Sequence, residues 1–114
     1  MKIPFIEKAN GNILAKKGDF DASMRHYSKS LLGVKYLRDG GNIQTEELIQ
    51  KYATEIELPV NLNLALCNIK VKNYPYAIHH ATQVLEYDPD NCKALYRRGI
   101  SLHNTANVIY PTKH

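Results

Sequence analysis

The chain has no apolar run that approaches the roughly 20 residues needed to cross a bilayer. Charges interrupt residues 1–8, where a signal peptide needs an apolar core. Its two cysteines, Cys67 and Cys92, are too few for a disulfide framework, and no Asn-x-Ser/Thr acceptor for glycosylation occurs. These absences predict a cytoplasmic protein without a membrane segment, in a reducing compartment, whose two thiols are free and buried.

Patterns that carry catalysis, metal binding or cofactor binding are also absent. There is no nucleophile elbow and no Gly-rich phosphate loop. His79 and His80 are adjacent, but neighbouring residues on a helix point about 100° apart, and no Cys-x-x-Cys or His-x-x-x-His spacing is present. We therefore expect a chain that is not an enzyme and that needs no metal or cofactor.

Charge is moderate in amount but uneven along the chain. The 114 residues, enough for one domain, carry 15 Lys and Arg against 11 Asp and Glu, a net charge of +4. Residues 38–57 hold five acidic and two basic side chains, a net of −3, so the thirteen basic and six acidic side chains elsewhere carry +7. A body this basic favours an anionic partner, whether acidic peptide, nucleic acid or anionic lipid.

Apolar residues recur at helical spacing almost throughout, and no segment alternates as a strand does. Two apolar stripes predict helices over about 4–17 and about 21–36. Their residues are Ile6, Ala9, Ile13 and Leu14, then Phe20, Met24, Tyr27 and Leu31. The pattern stays helical over about 45–71, 74–87 and 91–102. The predicted fold class is all-α, with most of the eight tyrosines and two phenylalanines on the stripes and in the core.

Turn and capping residues separate these helices. Gly18-Asp19 breaks the first from the second, and Thr45 is placed as an N-cap before two acidic residues. Pro75 suits the first turn of a helix, and Asp88-Pro89 ends that helix. Pro59 lies inside a helical pattern and marks either a kink or a fresh helix start.

Small and large residues repeat along the chain. The spacing from Ala65 to Gly99 is about 34 residues, a period found in helix-pair repeats. Gly11 precedes Ala65 by one such period plus an added segment, and the same shift pairs four further positions. These pairs are Phe20 with Tyr74, Ser23 with Ala77, Tyr27 with Ala81 and Leu31 with Leu85. Helix-pair repeats are therefore predicted at 4–37 and 58–91, with an insertion at 38–57 and an incomplete third repeat at 92–103.

The sequence resembles the tetratricopeptide family over about residues 4–103 and, within it, the co-chaperone repeat domains attached to immunophilin-type (FKBP-like) peptidyl-prolyl isomerases. The acidic insertion at 38–57 is one feature of that resemblance. The others are the runs Asn61-Leu62-Asn63-Leu64-Ala65-Leu66-Cys67 and Lys93-Ala94-Leu95-Tyr96-Arg97-Arg98-Gly99. The resemblance implies a right-handed superhelix of antiparallel helix pairs, about two and a half repeats long, without an isomerase domain in this chain.

The resemblance also implies a clamp for two carboxylates. In this subfamily the clamp holds the C-terminal Glu-Glu-Val-Asp tail of cytosolic ninety- or seventy-kilodalton heat-shock chaperones. Its positions here are Lys8, Asn12, Asn63, Lys93 and Arg97, which all match in residue type. Lys8 and Asn12 are four positions apart, as are Lys93 and Arg97, so each pair shares one face of a helix.

Two other functions stay open at this point. The repeats could bind a different acidic peptide, or the basic body could bind nucleic acid. A peptide whose terminal carboxylate is amidated separates the first alternative from the clamp. A steep salt dependence without peptide competition would indicate the second.

The resemblance ends after Leu102. Residues 104–114 contain Pro111 and several β-branched residues, and they predict an irregular tail in place of the second helix of repeat three. The first helix of that repeat would then leave an apolar face uncovered. We expect this face to cause self-association or low stability.

Overall fold

The computed structural model describes residues 2–109, and the all-α prediction is confirmed because no strand occurs among them. The elements are α1 (Ile3–Lys16), α2 (Phe20–Asp39), α3 (Glu46–Tyr52), a π-helical turn (Ala53–Glu57), α4 (Leu58–Lys70), α5 (Tyr74–Tyr87) and α6 (Cys92–Ile109). No helix in this part of the chain combines the length and apolar character needed to span a membrane.

The predicted breaks and caps form as the sequence indicates. Gly18 has a positive φ of 81°, which favours glycine. The carboxylate of Asp19 accepts a hydrogen bond from the Ala22 amide at 3.2 Å, and α2 begins between them. Thr45 caps α3 in the same way, since its hydroxyl accepts from the Leu48 amide at 3.2 Å.

The chain divides into two compact units, Met1–Val60 and Asn61–His114. In the first unit, α1 and α2 pack as an antiparallel pair through small residues. The buried hydroxyls of Ser23 and Ser30 donate to the carbonyls of Gly11 at 2.7 Å and of Pro4 at 2.6 Å. Side-chain hydroxyls that bond directly to the neighbouring backbone require the two helices to approach closely.

Because the two helices approach closely, the apolar stripe predicted for α1 is not the face that α2 buries. Ile6 and Ile13 are 54% and 52% exposed, whereas Pro4 and Gly11 are buried. A helix that packs backbone against backbone buries its smallest residues, so the large side chains of the stripe lie outside that contact.

In the second unit, the buried residues of α5 and α6 are also mostly small. They are Ala77, Ala81, Val84, Ala94 and Ser101. Asn91 caps α6 by accepting from the Ala94 amide at 2.9 Å, which confirms the turn predicted at Asp88-Pro89. Several of the small residues at equivalent repeat positions are therefore buried, in both units. Examples are Gly11, Ser23 and Ala77.

Three other expectations need correction. Cys67 is buried as predicted but Cys92 is exposed, although both thiols are free. Helix α6 continues to Ile109, so residues 104–109 are helical and not an irregular tail, while 110–114 lie outside the described residues. Among the tyrosines of residues 2–109, four are more than half exposed: Tyr36, Tyr76, Tyr87 and Tyr96. Helix α6 continues through residues 104–109 because β-branched residues only weakly disfavour a helix.

Candidate functional site

The five predicted clamp residues all lie on the first helix of a repeat. Lys8 and Asn12 are on α1, in the first unit. Asn63 is on α4, and Lys93 and Arg97 are on α6, in the second unit. The predicted residues thus fall into two groups, here called half-sites, one in each unit, and each group has at least one cation and one amide.

In the first half-site, a main-chain oxygen holds the ammonium group of Lys8. Lys8 Nζ donates to the carbonyl of Glu55 at 2.8 Å. In an α-helix that carbonyl would accept from the amide four residues later, which here is Pro59, and proline has no N–H. Pro59 therefore provides no α-helical donor for the Glu55 carbonyl, which favours the bond from Lys8.

The other residue of this half-site, Asn12, is held by a buried phenol. The hydroxyl of Tyr27 on α2 donates to Asn12 Oδ1. Tyr27 is 1% exposed. Its ring lies against Gly11, where an added Cβ would come within 2.6 Å of two ring carbons. Gly11 is thus required for Tyr27 to reach the neighbouring asparagine.

In the second half-site, the guanidinium group of Arg97 lies against α4. Arg97 Nη1 donates to the carbonyl of Leu62 at 2.8 Å, the residue directly before Asn63. Partial burial lowers the pKa of Arg97, but an arginine stays charged at neutral pH. Lys93 lies one turn earlier on α6 and is exposed. This half-site therefore has one oriented cation and one exposed cation.

Sequence reasoning missed the groups that orient these side chains. Tyr27 was recognised only as a core residue, and the carbonyls of Glu55 and Leu62 have no signature of their own. The one available signal is Pro59, because a proline beyond the first turn of a helical run leaves the carbonyl four residues earlier without its usual donor. The other two contacts depend on which helices pack together.

The adjacent histidines contact each other and the neighbouring helix α4. No group of three potential metal ligands occurs in residues 2–109. The rings of His79 and His80 meet edge to face at 5.0 Å, and His80 Nδ1 lies 2.9 Å from Asn61 Oδ1. Burial, with a smaller contribution from His79, lowers the pKa of His80 to about 4. His80 is therefore neutral at pH 7, and its hydrogen bond to Asn61 joins α5 to α4.

Each unit also has an apolar groove. The groove of the first unit has a volume of about 440 Å³ and is lined by residues of α1, α2 and the following loop, among them Ile3, Leu32 and Tyr36. The groove of the second unit, about 460 Å³, runs along α6 past Leu95 and Gly99. None of the five predicted clamp residues lines either groove.

Comparison with known proteins identifies relatives at the level of sequence and of structure. No protein-family model matches the chain. Peptidyl-prolyl cis-trans isomerase FKBP42 of Arabidopsis thaliana is 36% identical over 92 residues, which is 81% of this chain. Outer envelope protein 61 of the same plant is 35% identical over 92 residues, also 81% of this chain.

A solved structure matches nearly the whole chain. The C-terminal TPR-containing domain of a Plasmodium falciparum FK506-binding protein superimposes with a TM-score of 0.77 at 30% identity. The match covers 97% of this chain and 80% of that domain. By contrast, the chain spans only 24% of FKBP42 and 15% of outer envelope protein 61. The similarity to the isomerase thus concerns one part of a much longer protein.

Proposed function

We propose that this chain, which belongs to the tetratricopeptide repeat domains of FK506-binding immunophilins, binds the C-terminal Glu-Glu-Val-Asp peptide of ninety- or seventy-kilodalton heat-shock chaperones. The residues that would bind it are Lys8, Asn12, Asn63, Lys93 and Arg97. The observation that carries the proposal is a set of three hydrogen bonds to neighbouring groups. These bonds orient the side chains of Lys8, Asn12 and Arg97.

The chemistry of the peptide matches this set of side chains. Its terminal aspartate presents a main-chain and a side-chain carboxylate close together. Two lysines and an arginine supply opposite charge, and asparagine amides donate hydrogen bonds without adding charge. Each charged hydrogen bond is worth roughly 1.5–3 kcal/mol. After the cost of ordering a flexible tail, we expect micromolar affinity, about −8 kcal/mol.

The cellular context follows from the same proposal. A module of this kind would act as the recruiting part of an immunophilin-like co-chaperone in the cytoplasm, with any isomerase activity in another domain. The similarity to an outer envelope protein makes a role at an organelle surface the alternative. Fractionation of cells that express the full-length protein separates the two locations.

Fluorescence polarisation of a labelled peptide that ends in Glu-Glu-Val-Asp tests the binding directly. We expect micromolar affinity for the wild-type chain and a loss of roughly tenfold or more for Lys93→Ala, from the charged hydrogen bond removed. Arg98→Ala is the matched control, because it removes one positive charge from the same helix outside the proposed clamp. Equal losses in both variants would contradict the clamp and indicate a general charge effect.

Two further measurements distinguish the alternatives. Amidation of the peptide's terminal carboxylate should remove most of the affinity, since the clamp would lose one of its two anionic groups. Full retention would favour a scaffold for a different acidic peptide. A steep salt dependence of nucleic-acid binding, unaffected by the peptide, would favour nucleic acid as the ligand. The nucleic-acid measurement is warranted because exposed aromatic rings can stack on bases. The exposed tyrosines are Tyr36, Tyr76, Tyr87 and Tyr96.

A further inference from the structure

Tyr27 lies beneath the proposed clamp and contacts one of its residues from the core. Its side chain is 1% exposed, so it cannot itself form a large contact with a peptide. Its hydroxyl nevertheless donates to Asn12 Oδ1, across the interface between α2 and α1. A buried hydroxyl that bonds to a side chain of the proposed site has more than a packing role.

In this structure the hydrogen bond pairs the acceptor end of the Asn12 amide with Tyr27. An asparagine amide has an acceptor end, Oδ1, and a donor end, Nδ2, and a flip of the amide group exchanges them. A carboxylate can be bound only by the donor end. Because the phenol donates to Oδ1, the amide is held with Nδ2 on the side away from Tyr27. A flipped amide would instead donate to the phenol oxygen, and it would then present its acceptor oxygen to an anion.

Local sequence makes this arrangement particular to the first repeat. The close approach of the Tyr27 ring depends on Gly11, where an added Cβ would lie 2.6 Å from the ring. At the corresponding positions of the second repeat, the chain has Ala65, Leu66 and Ala81 in place of Gly11, Asn12 and Tyr27. The glycine, the asparagine and the tyrosine therefore occur together in repeat one and are all replaced in repeat two.

We propose that Tyr27 is a positioning residue, whose hydroxyl orients Asn12 so that its Nδ2 donates to a carboxylate of the bound peptide. This inference rests on the proposed function and names a residue beneath the clamp that determines affinity. It predicts that the hydroxyl affects binding only while Asn12 is present.

A double-mutant cycle tests this dependence. Tyr27→Phe removes the hydroxyl and keeps the ring, and peptide affinity should fall about 3- to 10-fold, the range for one neutral hydrogen bond. In an Asn12→Ala background the same change should alter affinity by less than about 1.5-fold. Tyr36→Phe, on the same helix but exposed, is the control and should leave affinity unchanged.

The outcomes separate this inference from the proposed function. If the wild-type chain binds the peptide and Tyr27→Phe binds equally well, the positioning role is overturned while the clamp stands. If Tyr27→Phe weakens binding equally with and without Asn12, the hydroxyl acts through general stability, and the inference is again overturned. A folded wild-type chain that fails to bind the peptide overturns both.

Discussion

Pro59 and Gly11 show how the absence of an atom can organise the first unit. Pro59 lacks an N–H group, so it provides no donor at the α-helical position for the Glu55 carbonyl, which accepts from Lys8 Nζ at 2.8 Å. Gly11 lacks a Cβ, so the ring of Tyr27 can lie where that atom would be. Each absence brings a buried or main-chain group within reach of a proposed clamp residue. Substitution at either position would therefore affect the site without touching a ligand.

At the same scale, His80 makes the stability of the second unit depend on pH. Its folded pKa of about 4 lies below the ordinary value of 6.5, first because of burial and then because of His79. Between these values the unfolded chain binds a proton that the folded chain does not. As far as His80 is concerned, the free energy of unfolding is therefore highest above pH 6.5 and decreases as the pH falls to about 4. Partial exposure reduces the effect to about 1–2 kcal/mol.

Urea unfolding between pH 4 and pH 7 measures this loss. His80→Gln cannot titrate in that range, so its unfolding free energy should change less with pH than that of the wild type. His103→Gln removes an exposed histidine on α6 and serves as the control. Identical pH profiles for the wild type and His80→Gln would show that another group is responsible.

Among the elements, the acidic insertion at 38–57 is an integral part of the first unit. It contains α3 and the π-helical turn, and it buries Ile43, Tyr52, Ala53 and Ile56. An ion pair of 2.8 Å joins Arg38 to Glu57. The ring centroids of Phe5 on α1 and Tyr52 lie 5.8 Å apart. Because the insertion also supplies the Glu55 carbonyl, its folding is linked to the position of Lys8.

The cap of α3 tests whether this short element matters to the unit. Thr45→Ala removes the hydroxyl that accepts from the Leu48 amide, and it should cost about 1 kcal/mol. Thr45 caps the start of a helical run that continues through the π-helical turn into α4, and it bonds one of the first amides, which have no partner within the helix. Thermal unfolding should show a melting temperature lower by about 4 °C.

Thr54→Ala is the matched control for this prediction. The Thr54 hydroxyl donates to the carbonyl of Gln50 at 2.8 Å, and that carbonyl lies within a helical segment. An exposed side chain of this kind should change stability by less than about 0.5 kcal/mol. If both alanine variants have the melting temperature of the wild type, α3 contributes little to the stability of the first unit.

For the molecule as a whole, the first helix of the third repeat exposes a face whose counterpart in the first repeat is covered by α2. Gly11 on α1 is buried against Tyr27 of α2. Gly99 occupies the same repeat position on α6, and a Cβ added there would meet nothing within 4 Å. Leu95 and Tyr96 beside it are 47% and 69% exposed. Apolar groups left exposed in this way favour association.

We therefore predict that the isolated chain self-associates through this face of α6. Sedimentation velocity should show an average mass that rises with concentration above the 13.0 kDa of one chain. Leu95→Glu should shift the equilibrium towards monomer, because association would bury an unpaired charge. Leu32→Glu is the matched control, since Leu32 is 46% exposed in the other unit. A monodisperse wild-type monomer with a high melting temperature would refute the prediction.

Local sequence signals were sufficient for the helices and for most of their ends. The Asp19 and Thr45 caps, the Pro75 helix start and the Asp88-Pro89 turn depend on groups within a few residues of one another, so they follow from local chemistry. The position of each clamp residue on a helix follows from the same signals. The sequence predicts an irregular segment over residues 104–109, which are helical, because β-branched residues only weakly disfavour a helix and do not stop one.

Amino-acid order alone thus determined the all-α class, the repeat spacing and the residue types proposed to bind a carboxylate. Tertiary structure decided which face of α1 is buried, and it placed Tyr27 against Asn12 and Arg97 against the Leu62 carbonyl. The reason is physical: helix propensity and capping act over one turn of chain. Burial and side-chain orientation depend instead on residues that are 15 to 35 positions apart in sequence and meet only when the helices pack.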